Sequence, residues 1–336
     1  MVTKNTIKPV TVSNYDELKN LIREEIRKNG FSCDLNFIDV SKITDMSGLF
    51  GEEGLQHFNG DISRWDVSNV KDMSFMFNLS DFNGDITSWD VSNVTNMKCI
   101  FMNSKFNGDI SKWDVSKVVN MDGIFSESEF TGDISHWDVS NVTTMRCSFN
   151  GAKFNGDISK WDVSNITNMW CMFIGADFNG DISKWDVSKV TDMTFMFGHS
   201  KFNGDISKWN VSNVKDMSFM FAHSAFNGDI SKWDVSKVAD MMDMFTDSAF
   251  DGDISSWNVS NVVNMRAMFS DSLFSGDISN WNVSKVTDMS EMFENSRFKG
   301  NLDKWNLDAL QRSKNIFHKS FYENDRIIGK RFMREE

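Results

Sequence analysis

Residues 58–77 read FNGDISRWDVSNVKDMSFMF, and the spacing of their apolar positions changes partway along. Trp65 and Val67 alternate with polar neighbours, which predicts a short strand with those two side chains facing inward. Val70, Met73, Met76 and Phe77 then follow three and four apart, which predicts a short helical turn with Ser68 as its N-cap. A polar loop leads to Phe82 and Asn83-Gly84, a dipeptide suited to positive φ in a tight turn. The unit reads as strand, helical turn, loop, tight turn.

This pattern returns every 24 residues. Trp65, Trp89, Trp113 and onward to Trp305 keep step without a slip, and Trp170 is the one tryptophan outside the series. A fixed period of that length marks stacked coils, because one coil cannot bury its own apolar residues and a neighbour can cover them. Ile62, Trp65, Val67 and Val70 also fall on the leucine-rich-repeat strand pattern, with Val where Asn or Cys is usual. The expected fold is an α/β repeat solenoid, a leucine-rich-repeat-like stack of short parallel strands and short helical turns with helical caps at both ends.

Residues 1–33 are expected to supply an N-terminal arm and capping helix, residues 34–308 about twelve coils, and residues 309–336 a C-terminal cap and tail. Residues 1–12 read as a loose arm. Ser13 or Asn14 starts the helix, which carries Tyr15, Leu18, Leu21, Ile22 and Ile26, and Gly30 ends it. The last coil is eroded, with Leu307 in the place of Val and Ser313 in the place of Met, as a terminal repeat should be. Strand spacing of ~4.8 Å gives a stack of roughly 58 Å.

The recurring residues F-N-G-D-I-S-x-W-D-V-S-N-V-x-x-M-x-x-M-F resemble the repeats of BspA-like leucine-rich-repeat surface proteins of bacteria, over residues 34–308. That resemblance implies a leucine-rich-repeat-like solenoid used for binding, often in adhesion. It implies no catalytic residues.

The chain is acidic, with a formal net charge of −13. Direct nucleic-acid binding is therefore not expected, since phosphate contact needs a basic patch, and an anionic membrane surface would repel the chain. No apolar run is long enough for a transmembrane helix, so no membrane insertion is expected. The N-terminal residues lack the apolar segment of a secretory signal, which favours the cytoplasm, whereas the resemblance implies the cell surface. Cys99, Cys147 and Cys171 share one column, and Cys33 lies in the first coil. A disulfide between Cys147 and Cys171 on adjacent coils is conceivable, and reduced thiols in a tolerant column are the plainer reading.

Columns that never vary are explained by building the coil. Asp61, Asp85, Asp109 and onward to Asp277 stack like charges, which calcium or backbone N–H groups in the local turn could compensate. The turn is the favoured reading, and no metal or other cofactor is expected. Asp66 and its equivalents, beside the column of Arg64, Lys112 and Lys160, read as a solvated ladder of cross-strand pairs. The methionine stripe at 73, 97, 121 and onward reads as core, with soft-metal binding the lesser alternative.

Columns that change from coil to coil are where recognition could reside. Positions 74, 75, 78 and 79 with their equivalents form such a ridge, and the candidate binding residues on it are Trp170, Ile174, Phe195, His199, Phe219 and His223. An aromatic amid a polar ridge is a plausible anchor, and neutral drift on a solvated ridge is the competing reading. The expected function is a non-enzymatic scaffold that recognises a protein, or a surface glycan. The alternative is an acidic rod that sequesters a basic partner or mimics nucleic acid. An enzyme would need a unique cleft near the caps, where His318, Glu323 and Asp325 are not repeat residues. A monomer is expected, with dimers by exchange of near-identical coils left open.

Overall fold

The computed structural model describes residues 9–333, so the first eight residues of the expected arm and residues 334–336 of the tail lie outside the described residues. β1 (Val10–Thr11) pairs in parallel with β2 (Ile38–Asp39), which fastens residues expected to be loose. α1 (Tyr15–Asn29) starts at Asn14, whose side chain accepts the Glu17 N–H at 3.0 Å, and ends at Gly30, where φ is +81°. Its apolar stripe, Leu18, Ile22 and Ile26, is buried in the core. Lys19 and Arg23 pair with Glu52, and the Tyr15 hydroxyl donates to the Ser47 carbonyl at 2.9 Å. Burial, with Glu52 adding to it, pushes the Tyr15 hydroxyl pKa up to about 12.

At the other end α2 (Arg326–Phe332) is capped by Asp325 and folds back on the last coil. Phe332 is buried edge-on against Trp305 and Phe317, and the Arg331 guanidinium donates to the carbonyls of Leu302, Asp303 and Trp305. Both ends of the stack are thus covered by a helix that lends apolar side chains to the terminal coil.

Between the caps the coils are built from turns rather than from strands and helices. The strand expected around Trp65 and Val67 is a pair of turns, in which Trp65 N–H donates to Ile62 O at 3.1 Å and Val70 N–H to Val67 O at 2.9 Å. Both side chains point inward as expected, at 4% and 1% exposure. The helical turn expected over residues 70–77 is also absent. Phe75 and Leu79 have φ of +58° and +57°, and a left-handed residue breaks a right-handed helix. Met76, Asn78 and Ser80 donate within the coil to the residue three before. Met73, Phe75, Phe77 and Leu79 donate instead to Asn96, Lys98, Ile100 and Met102 of the next coil, at 2.8–3.0 Å. This alternation makes a backbone ladder along the whole stack, seen also as parallel bridges from Asp45–Asp72 through Asp288–Arg312. Regular strand assignment is limited to β1 and β2 among the described residues.

Rings fill the interior in continuous columns. Phe77 stacks on Phe101 at 5.7 Å, Phe82 on Phe106 at 6.3 Å and Trp65 on Trp89 at 6.4 Å. The methionine stripe is fully inside, Met73 and Met76 at 0% exposure, where it packs among these rings. Gly84 does not have the positive φ expected of Asn83-Gly84. Its reason is steric: a Cβ there would lie 2.8 Å from the edge of the Phe82 ring. Asn83 acts between coils, its side chain accepting the Asn107 N–H at 2.8 Å while its own N–H donates to the Asn59 side chain at 2.9 Å.

The coils are not evenly spaced. Outside the ladder, Phe195 and Phe219 stack at 4.2 Å and His199 and His223 at 4.4 Å. Just inside it the Phe77 column repeats at 5.5–5.9 Å, and on the far side the Phe82 and Trp columns repeat at 6.2–6.5 Å. Direct backbone bonds hold the narrow side at about strand spacing, ~4.8 Å. Side chains span the wide side: Asn83 to Asn107, the Trp89 indole to Ile62 O at 3.1 Å, and the Asn93 amide to Ser68 O at 2.8 Å. Wedge-shaped coils bend the stack, with the ladder on its concave face.

Candidate functional site

The ladder places the variable ridge on the concave face, and the backbone there selects which residues can vary. Every residue from Phe75 to Glu291 at that column, and from Leu79 to Asn295 at the other, has positive φ. No Val, Ile or Thr occupies either column, whereas the neighbouring columns carry Thr194, Ile174 and Thr246. A branched Cβ fits the left-handed region poorly, so positions that looked free are filtered by backbone sign. That gap in composition was readable from the sequence and is the missed signal.

The candidate residues are brought together as stacked pairs. Phe195 and Phe219, both half-buried, lie face to face with an interplanar angle of 5°. His199 and His223 stack beside them at 11°, and His223 Nδ1 lies 3.0 Å from the Asp247 carboxylate. Burial, with His223 adjacent, holds the His199 imidazole below its ordinary pKa. Trp170 is half-buried and is covered by the Arg146 guanidinium, 5.1 Å from the ring centroid. Ile174 is half-buried in the same coil, its carbonyl accepting the Gly151 N–H at 2.8 Å. Gly151, Gly175, Gly198 and Ala222 leave the surface between these side chains low.

Towards the C-terminus the same face turns acidic, through Asp240, Asp243, Asp247, Asp271, Glu291 and Glu294. Burial pushes the carboxyls of Asp240 and Asp243 above the usual range. Arg266 pairs with Glu291 at 2.8 Å and Arg312 with Asp288 at 2.8 Å, which neutralises part of this charge.

The recurring acidic columns have local duties. Asp61 accepts the Ser63 N–H at 2.9 Å and Asp109 the Ser111 N–H at 2.9 Å, and this bond holds both carboxyls below the usual range. Asp66 does the same for Ser68 at 3.1 Å, so the expected ladder of ion pairs gives way to turns within each coil. Bonds that cross between coils here are largely to neutral groups, such as Lys117 Nζ to Asn93 Oδ1 at 2.7 Å. A mixed column, in which Asp72 is followed by Asn96, Asn120 and Thr144, escaped the sequence reading: Asp72 accepts the Ser74 N–H at 2.8 Å and the Asn96 amide at 2.8 Å. No group of three or more metal-ligating side chains occurs among the described residues.

At the C-terminal cap His318 and Glu323 meet at 3.3 Å beside a cavity of about 230 Å³ lined also by Phe317 and Phe332. Asp325 is engaged as the cap of α2, accepting the N–H groups of Ile327 and Ile328 at 2.9 and 3.1 Å. No helix among the described residues is long and apolar enough to cross a membrane.

No curated protein and no solved structure matches the chain. A family model matches it four times in overlapping tandem stretches, residues 17–129, 119–228, 152–249 and 222–329, and the chain belongs to that family, described as Mycoplasma protein of unknown function, DUF285.

Proposed function

We propose that this protein is a non-enzymatic binding scaffold that recognises a protein, or a surface glycan, through the concave face of its stack. The observation that carries this reading is the patch of Trp170, Ile174, Phe195 and Phe219. These are large apolar side chains held half-exposed by a rigid ladder on three successive coils. Preorganised aromatics of this kind make good contact surface at low entropic cost. The likeness of the repeat residues to BspA-like surface proteins supports the same reading.

The acidic run beside the patch favours a partner with cationic groups, which is the narrower form of the acidic-rod reading. The test is affinity capture with the wild type beside Phe195→Ser/Phe219→Ser and Asp243→Asn/Asp247→Asn variants, folding being checked by circular dichroism. Loss of a captured partner in the first variant supports the aromatic site. Loss only in the second, with release by 0.5 M salt, supports the electrostatic reading. Equal capture by all three overturns both.

A further inference from the structure

We propose that Cys147 and Cys171 form a two-cysteine oxidation site, in which a hydroperoxide oxidises Cys147 and Cys171 then closes a disulfide between adjacent coils. The two residues occupy the same column one coil apart, with φ of +54° and +56°, so their Cα–Cβ bonds leave the backbone in nearly the same direction. Cys147 N–H donates to Trp170 O at 2.8 Å, and Thr144 bridges Asn168 in parallel, so the backbones run side by side in the ladder. Ladder spacing of ~4.8 Å lies within the ~4.4–6.8 Å between α-carbons that a disulfide spans. The coils converge on this face, where the ring pairs stand 4.2 and 4.4 Å apart, which brings side chains closer than their backbones.

Side chains in this column also lean over the next coil. A Cβ placed on Gly123 would lie 2.7 Å from the Sγ of Cys99, one coil before it. The same lean carries the Cys147 side chain towards Cys171, the next residue of the column. Their surroundings give the two sulfurs different roles. The neighbouring Cys171 thiol, with the Arg146 cation adding to the effect, holds the Cys147 thiol below its ordinary pKa. Cys147 is also the more exposed of the two, Cys171 being buried at 7% exposure. Cys147 is therefore the attacking thiolate and Cys171 the resolving thiol.

In the first step the Cys147 sulfur attacks a peroxide oxygen, the O–O bond breaks, and sulfenic acid forms with release of water or an alcohol. In the second the Cys171 sulfur attacks Cys147, the S–O bond breaks, and the hydroxyl leaves as water with the proton of Cys171. Two thiols lose two electrons to one hydroperoxide. Cys99 does not take part: it lies two coils from Cys147 with Gly123 between, and burial pushes its thiol up to about 11.

The full chain is treated with one equivalent of hydrogen peroxide, its free thiols are alkylated, and its peptides are mapped by mass. The expected result is one cross-linked peptide pair joining Cys147 to Cys171, two hydrogens lighter than the thiols. Cys171→Ser should stop at a Cys147 sulfenic acid that dimedone traps. Cys147→Ser should leave Cys171 a thiol, and Cys99→Ser should change nothing. Recovery of Cys147 paired with another cysteine, or alkylation of both thiols after oxidation, overturns the site. Dimedone trapping of Cys171 in the Cys147→Ser protein overturns the assignment of roles. The wild-type peptide map decides the matter even where a variant folds poorly.

Discussion

His199 and His223 lie face to face across one coil, ring centroids 4.4 Å apart, with His223 held by Asp247 at 3.0 Å. Burial and the facing ring make the folded protein a poorer proton acceptor at His199 than the unfolded chain. The unfolded chain takes up its proton near pH ~6.5, and the folded one only at lower pH, so stability falls as pH drops through that window. The thermal midpoint should therefore fall between pH 7.5 and 5.5. His199→Asn, which keeps a residue tolerant of positive φ, should flatten that fall. An equal fall in wild type and variant would assign the effect to other groups.

The sign of φ along the ridge makes a second expectation. Glu127 is exposed and has φ of +53°. Glu127→Val should cost about 1–2 kcal/mol more than Glu127→Asn, because a branched Cβ meets its own backbone in the left-handed region and Asn tolerates it. At the preceding column, where Ile174 and Thr246 occur naturally, Met102→Ile should cost less. Urea denaturation of the three variants checks the ordering. Equal loss at Glu127→Val and Glu127→Asn would mean that backbone sign does not select this column.

The solenoid and its inward residues were legible because burial of Trp65, Val67, Met73 and Phe77 requires only that each coil cover the next. Asn14, Gly30 and the stripe of α1 were legible for the local reason that caps act over one turn. The coil itself was misread. Val70, Met73, Met76 and Phe77 have helical spacing, yet Phe75 and Leu79 turn the chain left-handed between and after them. An apolar period records which side chains point inward and says nothing of the path between them. Asp72 was missed because its bond to Ser74 and to the Asn96 amide appears only once coils are stacked in register. The pairing of the ridge residues across coils, Phe195 on Phe219 and His199 on His223, follows from the wedge, which no single coil encodes.

Gly84 supplies a third test. An added Cβ would lie 2.8 Å from two atoms of the Phe82 ring. Gly84→Ala should destabilise the protein by about 1–3 kcal/mol, the range for overpacking a filled interior. In a Phe82→Leu background the same substitution should cost less, because the two ring atoms are gone and the Gly60 carbonyl, 3.2 Å away, is the close contact left. A backbone requirement for glycine would give the same cost in both backgrounds. Measuring the two costs by denaturant titration separates the explanations.

Phe332 shows how the stack distributes a loss. It is 1% exposed, edge-on to Phe317 at 5.3 Å and close to Trp305 at 6.3 Å, and so completes the apolar end of the last coil. In a globular core Phe332→Ala would cost about 3–5 kcal/mol felt throughout. Here stability is close to a sum of coil terms and nearest-neighbour interfaces, so the loss should remain at the end where it is made. Amide hydrogen exchange should therefore quicken at Leu310 and Ile316, whose N–H groups bond within the last coil to Leu307 and Ser313. Met193, whose N–H donates to Asp216 in the middle of the stack, should keep its protection. Uniform quickening at all three sites would instead mean that the coils unfold as one cooperative unit and that the cap holds the whole stack together.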